Sequence, residues 1–292
     1  MDERAALALL ADDLPAAGDD AAVVGEQVLT TDMLHERTDF PAGTTRYTAG
    51  WRAVGASLSD VAAMGAEATA AVAVYAAPTF DPEELRAFVR GAQDVCAYVE
   101  ADYVGGDLDD HGEFTVATTA LGRTTDPVRR SGAEPGDALC VTGTLGRSGA
   151  ALRLFDRGDH EWANELFRFT PRVVPGLAIS SSATAMIDSS DGLARSLHQL
   201  ADASDCGFAV ETPLPIDDAV DDVTDGPADR RELGVFFGED FELVFTTPPD
   251  SLPGLRDVCG VPISRIGTVT DDEAVTLDDV DLPDRGYTHG EE

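Results

Sequence analysis

Acidic motifs recur along this chain where runs of apolar residues end, and they are the feature that most restricts its fold. There are five of them: Gly18-Asp19-Asp20, Thr30-Thr31-Asp32, Leu58-Ser59-Asp60, Gly105-Gly106-Asp107 and Ile187-Asp188-Ser189-Ser190-Asp191-Gly192. An apolar run that meets glycine or a small polar residue is typical of a strand or helix that ends there. Carboxylates placed at such ends can converge on a hard cation, and hard cations commonly accompany phosphates.

The stretches between these motifs predict strands and helices that alternate throughout the chain. Residues Arg46–Met64 are rich in small side chains and predict a helix that Gly65 ends. A second helix is predicted to begin at Asp81, an N-cap followed by proline and two acids, and to run to about Glu100. Such alternation favours an α/β (α+β) protein.

A stretch without periodicity divides the chain. Residues 123–137 contain two prolines and two glycines, which predicts a junction between two halves. We therefore expect an N-terminal domain of residues 1–125 and a C-terminal domain of residues 126–292.

Charge restricts the possible partners. The net charge is −35, and all 20 basic side chains are arginine, so the chain contains no lysine. A nucleic-acid backbone would repel such a protein. No apolar run approaches the roughly 20 residues that span a bilayer, and the N-terminus lacks a basic signal-peptide region, so we expect a cytoplasmic protein without a membrane segment. The four cysteines have no metal-site spacing and are predicted to be reduced and buried.

Each acidic motif has a functional and a structural interpretation. Asp32 directly follows an apolar run and is predicted to lie at the end of a strand, either in a site or as a cap. Asp107 is expected just after a strand, where Gly105 and Gly106 allow a ligand to approach the backbone. Asp191 is predicted to start the helix that follows it, either near a phosphate or as an ordinary cap.

Asp60 differs from the other acids because it lies within a strongly apolar helix. Burial of a lone carboxylate there is costly unless a partner compensates for it. By contrast, Asp19, Asp109 and Asp110 are interpreted as ordinary loop acids.

Other motifs are consistent with phosphate chemistry. The glycine-rich segment 143–149 precedes a helix but lacks the Gly-Lys-Ser/Thr of a P-loop, so a tight strand-to-helix connection is the preferred interpretation. Arg129 and Arg130 are adjacent positive charges in the predicted junction and form a natural phosphate clamp. Gly238-Glu239-Asp240 precedes a strand predicted at Phe241–Phe245, where its acids either contact a substrate or form a plain loop.

Taken together and in this order, the motifs resemble the thiamine-monophosphate kinase family. The resemblance covers nearly the whole chain and includes Leu58-Ser59-Asp60-Val61-Ala62-Ala63-Met64-Gly65 and the ending Gly286-Tyr287-Thr288-His289. It implies a two-domain synthetase-like fold, with an N-terminal α/β domain that pairs in a homodimer and a C-terminal α/β domain. It also implies ATP-dependent phosphorylation of thiamine monophosphate to thiamine diphosphate, with ATP in the cleft between the domains.

The resemblance also implies a set of site residues. Several Mg²⁺ ions would be held by Asp20, Thr30, Thr31, Asp32, Asp60, Asp107, Asp188 and Asp191. ATP would contact Gly106, Asp107, Arg130 and Ser190, with Arg130 and Asp191 in catalytic roles. The thiamine end would contact Asp39, Glu239 and Tyr287, although Asp39 stands where the family commonly has histidine.

The sequence motifs are also consistent with two other functions. One is a related ATP-dependent synthetase that activates an amide or carboxylate oxygen. The other is a non-catalytic acidic cation-binding protein, although the acidic motifs are spread more widely than in a calcium loop of about a dozen residues.

The extreme acidity predicts a halophilic protein that depends on salt. At high ionic strength the Debye length falls to about 3 Å or less, which screens the self-repulsion of 55 acidic side chains. We expect the protein to lose structure in dilute buffer and to fold in molar KCl, as followed by circular dichroism and melting temperature. An equal melting temperature in both buffers would contradict this prediction.

Overall fold

One long buried helix lies at the centre of the molecule. A computed structural model of the chain describes residues 9, 10, 14 and 17–287. Following a short helix, α1 (Glu36–Asp39), the central helix α2 spans Arg46–Ala63. The Thr45 hydroxyl accepts a hydrogen bond from the Thr48 amide at the start of α2. Gly65, at φ +61°, follows the end of the helix as predicted.

A five-stranded sheet packs on one side of α2. Its spatial order is β1-β2-β5-β3-β4, and only the β3–β4 pair is parallel. The strands are β1 (Ala22–Val24), β2 (Gln27–His35), β3 (Glu67–Ala77), β4 (Asp102–Asp110) and β5 (Thr115–Arg123). The helix α3 (Pro82–Tyr98) begins at Asp81, whose carboxylate accepts hydrogen bonds from the amides of Glu83 and Glu84 as the sequence predicted.

A seven-stranded sheet forms the second half. Its order is β12-β11-β8-β10-β6-β9-β7, and all neighbours are antiparallel except β8 and β11. The strands are β6 (Ala138–Thr142), β7 (Ala185–Asp188), β8 (Gly207–Val210), β9 (Leu243–Thr247), β10 (Ile263–Thr270), β11 (Val275–Leu277) and β12 (Val280–Asp281).

Seven helices belong to this half of the described chain. They are α4 (Arg147–Asp156), α5 (His160–Phe167), α6 (Val173–Ser180), α7 (Leu193–Ser204), α8 (Asp218–Asp221), α9 (Pro227–Arg231) and α10 (Leu252–Val258). A π-helical turn at Glu232–Phe236 and a 3₁₀ turn at Pro249–Ser251 connect some of them. The prediction of an α/β (α+β) protein is confirmed. None of the described helices is long and apolar enough to cross a membrane.

A continuous apolar core joins the two halves through α2. Leu58 of α2 packs in the same buried cluster as Val28 of the first sheet and Phe245 of the second. Of the 18 residues in α2, 14 are buried, so the helix has almost no solvent face. The division at residues 125 and 126 stays a prediction; in the described chain the first sheet ends at Arg123 and the second begins at Ala138. The four cysteines are buried and free, as predicted.

Two of the predicted strand ends are wrong. Asp32 lies inside β2, because the antiparallel ladder with β5 continues without interruption to His35. Asp107 lies inside β4, whose glycines are tolerated because β4 is the edge strand of its sheet.

Two further local predictions are also wrong. Gly192, and not Asp191, occupies the N-cap position of α7. Strand β9 begins at Leu243, two residues later than predicted, because Phe241 has a φ of +54° that a strand does not accept.

Two glycines allow α2 and α3 to pack closely. A Cβ atom added at Gly91 would lie 2.0 Å from the Tyr47 carbonyl oxygen, and one at Gly50 would lie 2.1 Å from the Phe88 carbonyl oxygen. Each distance is well inside van der Waals contact, so a side chain there would push the helices apart.

We therefore expect Gly91→Ala to destabilise the fold by about 1–3 kcal/mol through overpacking. The matched control is Gly254→Ala in α10, where an added Cβ meets nothing within 4 Å. That exchange should stabilise the protein by roughly 0.5–1 kcal/mol through helix propensity. Denaturant unfolding in molar KCl measures both changes, and an equal effect of the two exchanges would contradict the close-packing argument.

Candidate functional site

Three carboxylates from separate parts of the fold meet beside the C-terminal end of α2. Asp20 precedes β1, Asp60 lies in the last turn of α2 and Asp188 is the last residue of β7. One carboxylate oxygen from each lies within 4.8 Å of the other two. We call these three residues the aspartate cluster. All three are among the predicted metal ligands, and they come from both halves of the chain.

Hydroxyl groups orient the carboxylates of this site. Ser59 Oγ donates to Asp188 Oδ2 at 2.6 Å, and Thr30 Oγ1 donates to Asp60 Oδ2 at 2.5 Å. Ser57 Oγ donates to Asp32 Oδ2 at 2.7 Å, which places Asp32 beside the cluster on the same face of the first sheet. Each of these carboxylates is therefore held by a hydroxyl donor.

Ser57 and Ser59 are both fully buried, and their roles were not predicted from the sequence. A signal was available, because two serines in an otherwise apolar helix require hydrogen-bond partners once that helix is buried. Only the folded chain identifies those partners as Asp32 and Asp188.

Burial and mutual repulsion favour the protonated forms of Asp60 and Asp188. Burial raises the pKa of Asp60 well above its usual value, and the charges of Asp32, Asp188 and Asp20 raise it further. Burial also raises the pKa of Asp188 to about 7, with an added contribution from Asp20 and opposition from Ser59, Ser190 and Arg130. The positive groups near these carboxyls do not balance their negative charge when they ionise. A bound cation would therefore stabilise the ionised site.

Arg130 supplies part of the missing charge. Its Nε and Nη2 atoms donate to the two oxygens of Asp20 at 3.3 and 3.0 Å. Asp19 is not an ordinary loop acid, because its carboxylate accepts from the Arg130 amide at 3.0 Å and forms an ion pair with Arg129. Asp19 therefore holds the segment that carries the guanidinium.

The donor atoms of the cluster fit a hard divalent cation. They are carboxylate oxygens supported by hydroxyls, and no histidine or cysteine joins the cluster in the described residues. Oxygen donors of this kind suit Mg²⁺ or Ca²⁺ better than zinc.

Two of the three predicted substrate-side residues, Glu239 and Tyr287, are bonded to the loop that follows Asp188. The Glu239 amide donates to the Ser190 carbonyl at 2.6 Å, and the Tyr287 amide donates to the Asp191 carbonyl at 3.1 Å. Asp39 is bonded elsewhere, and its Oδ2 accepts a hydrogen bond from the His35 amide at 2.6 Å. Burial raises the pKa of Glu239, and the charge of Asp39 raises it further. Thr288 and His289, which complete the Tyr287 motif, lie outside the described residues.

Two predicted metal ligands do not join the cluster within this chain. Thr31 points to the opposite face of the first sheet from Asp32, and its hydroxyl donates to the Thr118 carbonyl at 2.8 Å. Asp107 pairs in register with the exposed Val74 on that same outer face.

Gly106 lies at the same edge of the sheet as Asp107. Strand β4 is three strand positions away from β2, which corresponds to roughly 14 Å at about 4.8 Å per strand. Gly106 and Asp107 therefore line a different surface from the cluster. They border a cavity of about 550 Å³ between β4 and α3.

Comparison with known proteins identifies relatives along almost the whole chain. Residues 18–124 match the family model for the N-terminal domain of AIR synthase related protein, and residues 134–280 match that for its C-terminal domain. The thiamine-monophosphate kinase of Halobacterium salinarum is 60% identical over 99% of this chain and 100% of its own length. That of Methanospirillum hungatei is 41% identical over 93% of this chain and 92% of its own length.

A solved structure of the same kind superposes closely. The complex of AaThiL with AMPPCP and TMP superposes on this chain with a TM-score of 0.90 and 27% sequence identity. The matched region covers 99% of this chain and 97% of the AaThiL chain. A structure of the thiamine monophosphate kinase from Aquifex aeolicus has a TM-score of 0.85 at 27% sequence identity. The matched region covers 97% of this chain and 99% of that one. The predicted two-domain fold is thus confirmed.

The raised pKa of Asp188 predicts that stability depends on pH when no divalent cation is present. The folded state holds a proton up to pH about 7, whereas the unfolded state releases it near pH 3.8, so this contribution is lost as pH rises between the two values. The wild type should therefore lose about 2 kcal/mol of stability between pH 5.5 and pH 8, and Asp188→Asn should remove this loss in the metal-free protein.

Melting in molar KCl with a chelator measures this effect, and Asp257→Asn, an exchange of an exposed helix acid, is the matched control. Added MgCl₂ should raise the melting temperature of the wild type at pH 8 more than that of Asp188→Asn. A parallel pH dependence of the wild type and Asp188→Asn would contradict the assignment.

Proposed function

Because this chain belongs to the thiamine-monophosphate kinase family, we propose that it transfers the γ-phosphoryl group of ATP to thiamine monophosphate, which yields thiamine diphosphate and ADP. The main structural support for this function is the aspartate cluster. Its acids come from both halves of the chain and surround a site suited to a hard cation. The solved relative that contains AMPPCP and TMP supports the same pair of substrates.

We propose that Mg²⁺ is held by Asp20, Asp60 and Asp188, with Asp32 and Asp191 as adjoining ligands and Thr30 as a hydroxyl that orients Asp60. Bound Mg²⁺ would supply charge neutralisation between two polyanionic substrates. This role agrees with the burial and the mutual repulsion that raise the pKa of Asp60 and Asp188.

The acceptor needs little activation by a general base. A phosphate monoester has a second pKa of about 6, so its oxygen is largely ionised at neutral pH. The task left for the protein is to position two anions in line and to neutralise their charge. Arg130 is suited to the transferring group because its guanidinium lies against Asp20 of the cluster. Ser190 and the amides that open α7 are suited to bind phosphate oxygens.

We also propose that the protein is a homodimer joined through the outer face of the first sheet. Large apolar side chains are exposed there, with Leu29 at 43%, Met33 at 58% and Val74 at 39% exposure. Exposed apolar surface of this kind marks an interaction site. Thr31 and Asp107 lie on this face, so a second copy would enclose both of them and bring them into an interface. A monomeric mass by light scattering in molar KCl would contradict this proposal.

The cytoplasmic location and the adaptation to high salt, both expected from composition, stay predictions. The 60% identity to a protein of Halobacterium salinarum supports the second of them.

Turnover tests the function directly. We expect the protein in molar KCl with Mg²⁺, ATP and thiamine monophosphate to form thiamine diphosphate and ADP in equal amounts, and a chelator to stop the reaction. Asp32→Asn and Asp188→Asn should each lower kcat by about 10²–10³-fold, as for the loss of a group that stabilises charge in the transition state. Asp257→Asn should leave kcat unchanged.

Two results would contradict the proposal. One is ATP consumption by the folded wild type without phosphorylation of thiamine monophosphate. The other is turnover at the wild-type rate in Asp188→Asn, which would remove the metal assignment while leaving the reaction itself in place.

A further inference from the structure

A buried arginine on α2 reaches from the first half of the chain to an acid of the second. The side chain of Arg52 is 2% exposed, and its guanidinium lies 3.5 Å from the ring centroid of Phe167. Nη1 donates to the Phe167 carbonyl and to Ser148 Oγ, while Nη2 donates to Glu239 Oε2 at 3.0 Å. Both terminal nitrogens are thus engaged, and the one acidic group among their hydrogen-bond partners is Glu239.

Glu239 lies on a backbone segment that other contacts hold in an unusual conformation. Residues 238–241 form what we call the strap. Glu239 and Phe241 have φ values of +66° and +54°, a region that side chains other than glycine rarely adopt. Such strain persists only where the surroundings fix the chain, and it is concentrated at functional sites.

The described hydrogen bonds that hold the backbone of the strap come from the second half of the chain. The Ser148 hydroxyl donates to the Glu239 carbonyl at 2.6 Å, and the Glu239 amide donates to the Ser190 carbonyl at 2.6 Å. The Asp240 carboxylate accepts from the amides of Gly146 and Ser148. The Glu239 side chain is the part of this residue that bonds to the first half, through Arg52.

Acids surround this ion pair. Burial raises the pKa of Glu239, Arg52 lowers it, and the charges of Asp39 and Asp191 raise it again. Among the described residues, Arg52 is the cation that bonds to the Glu239 carboxylate. It favours the ionised form of Glu239 and fixes the direction of one of its oxygens.

We propose that Arg52 is a positioning residue for the acceptor, which holds Glu239 through Oε2 so that the remaining oxygen receives the cationic ring of thiamine monophosphate. The Glu239 side chain is 29% exposed, whereas Arg52 is closed off from solvent, so a ligand can reach the acid but not the arginine. This role rests on the proposed function. It adds a residue on α2 to the substrate side of the site, at the opposite end of that helix from Asp60.

The alternative is that Arg52 only joins the two halves of the fold. In that case its removal would lower stability and would affect the apparent affinities for both substrates alike. If Arg52 instead acts by positioning Glu239, its removal should weaken binding of the thiamine ring of the acceptor and leave the affinity for ATP unchanged.

The experiment compares KM for thiamine monophosphate with KM for ATP in Arg52→Met, Arg52→Lys, Glu239→Gln and the double variant Arg52→Met/Glu239→Gln. We expect Arg52→Met to raise KM for thiamine monophosphate by about 10–100-fold, the range for loss of a hydrogen bond to a charged group. KM for ATP should change by less than about threefold. Arg52→Lys keeps the charge without the planar fork and should recover part of the loss.

The double variant separates the two roles. If Arg52 acts through Glu239, the double variant should be no worse than the poorer single variant, since the second change removes a group already misplaced. Multiplying effects, or equal changes in both KM values, would overturn the proposal. Glu239→Gln changes the Arg52–Glu239 ion pair at its more exposed residue. If Arg52→Met does not fold, this variant and Arg52→Lys still test the proposal.

Arg172→Met is the matched control. It breaks a second ion pair, with the buried Glu242 that directly follows the strap in the chain. We expect it to lower the melting temperature without changing KM for thiamine monophosphate. If the wild type forms thiamine diphosphate and Arg52→Met has an unchanged KM for thiamine monophosphate, the inference fails while the proposed function stands. If the wild type forms none, the proposed function itself fails.

Discussion

The burial of α2 on all sides is the constraint on which the rest of the structure depends. A helix rich in alanine, glycine and serine can be approached closely by neighbouring elements, and α2 packs against both sheets at once. Every polar side chain on such a helix must find a partner inside the protein. Ser57, Ser59 and Arg52 do so by contacting Asp32, Asp188 and Glu239 respectively, so the residues that satisfy the core also orient the site.

The same burial explains why the site is suited to cations. Carboxylates that would be ionised in water are forced together where solvent is scarce, and their pKa values rise in response. Hydroxyl donors and Arg130 offset only part of the effect of burial and of the Asp20 charge, so the pKa of Asp188 stays raised. The position of Asp60 in the last turn of α2 adds to the effect, because the C-terminal end of a helix is electrostatically negative. A bound cation is the most direct way to relieve this excess of negative charge.

Local signals predicted much of this arrangement, and tertiary contacts determined the rest. The start of α3 at Asp81 and the end of α2 before Gly65 follow from capping chemistry, which acts within a few residues. The acids of the cluster were recognisable because each interrupts an apolar run. The positions of Asp32 and Asp107 within strands were not predictable in this way, since a ladder with a partner strand overrides the low strand propensity of glycine and aspartate. The partners of Arg52 were not predictable from local sequence, because they lie 96 to 187 residues away in the chain.

The spacing of residues along α2 relates the two ends of the site. Arg52 and Asp60 are eight residues apart, which corresponds to about 12 Å at 1.5 Å per residue. The N-terminal half of the helix thus holds an acid that suits a cationic ring, and the C-terminal end gathers acids that suit a metal-bound phosphate. A substrate with a cation at one end and a phosphate at the other can lie beside this helix with both ends in matching surroundings. Because both sets of contacts are carried on one rigid element, a shift of α2 would move them together and preserve the distance between them.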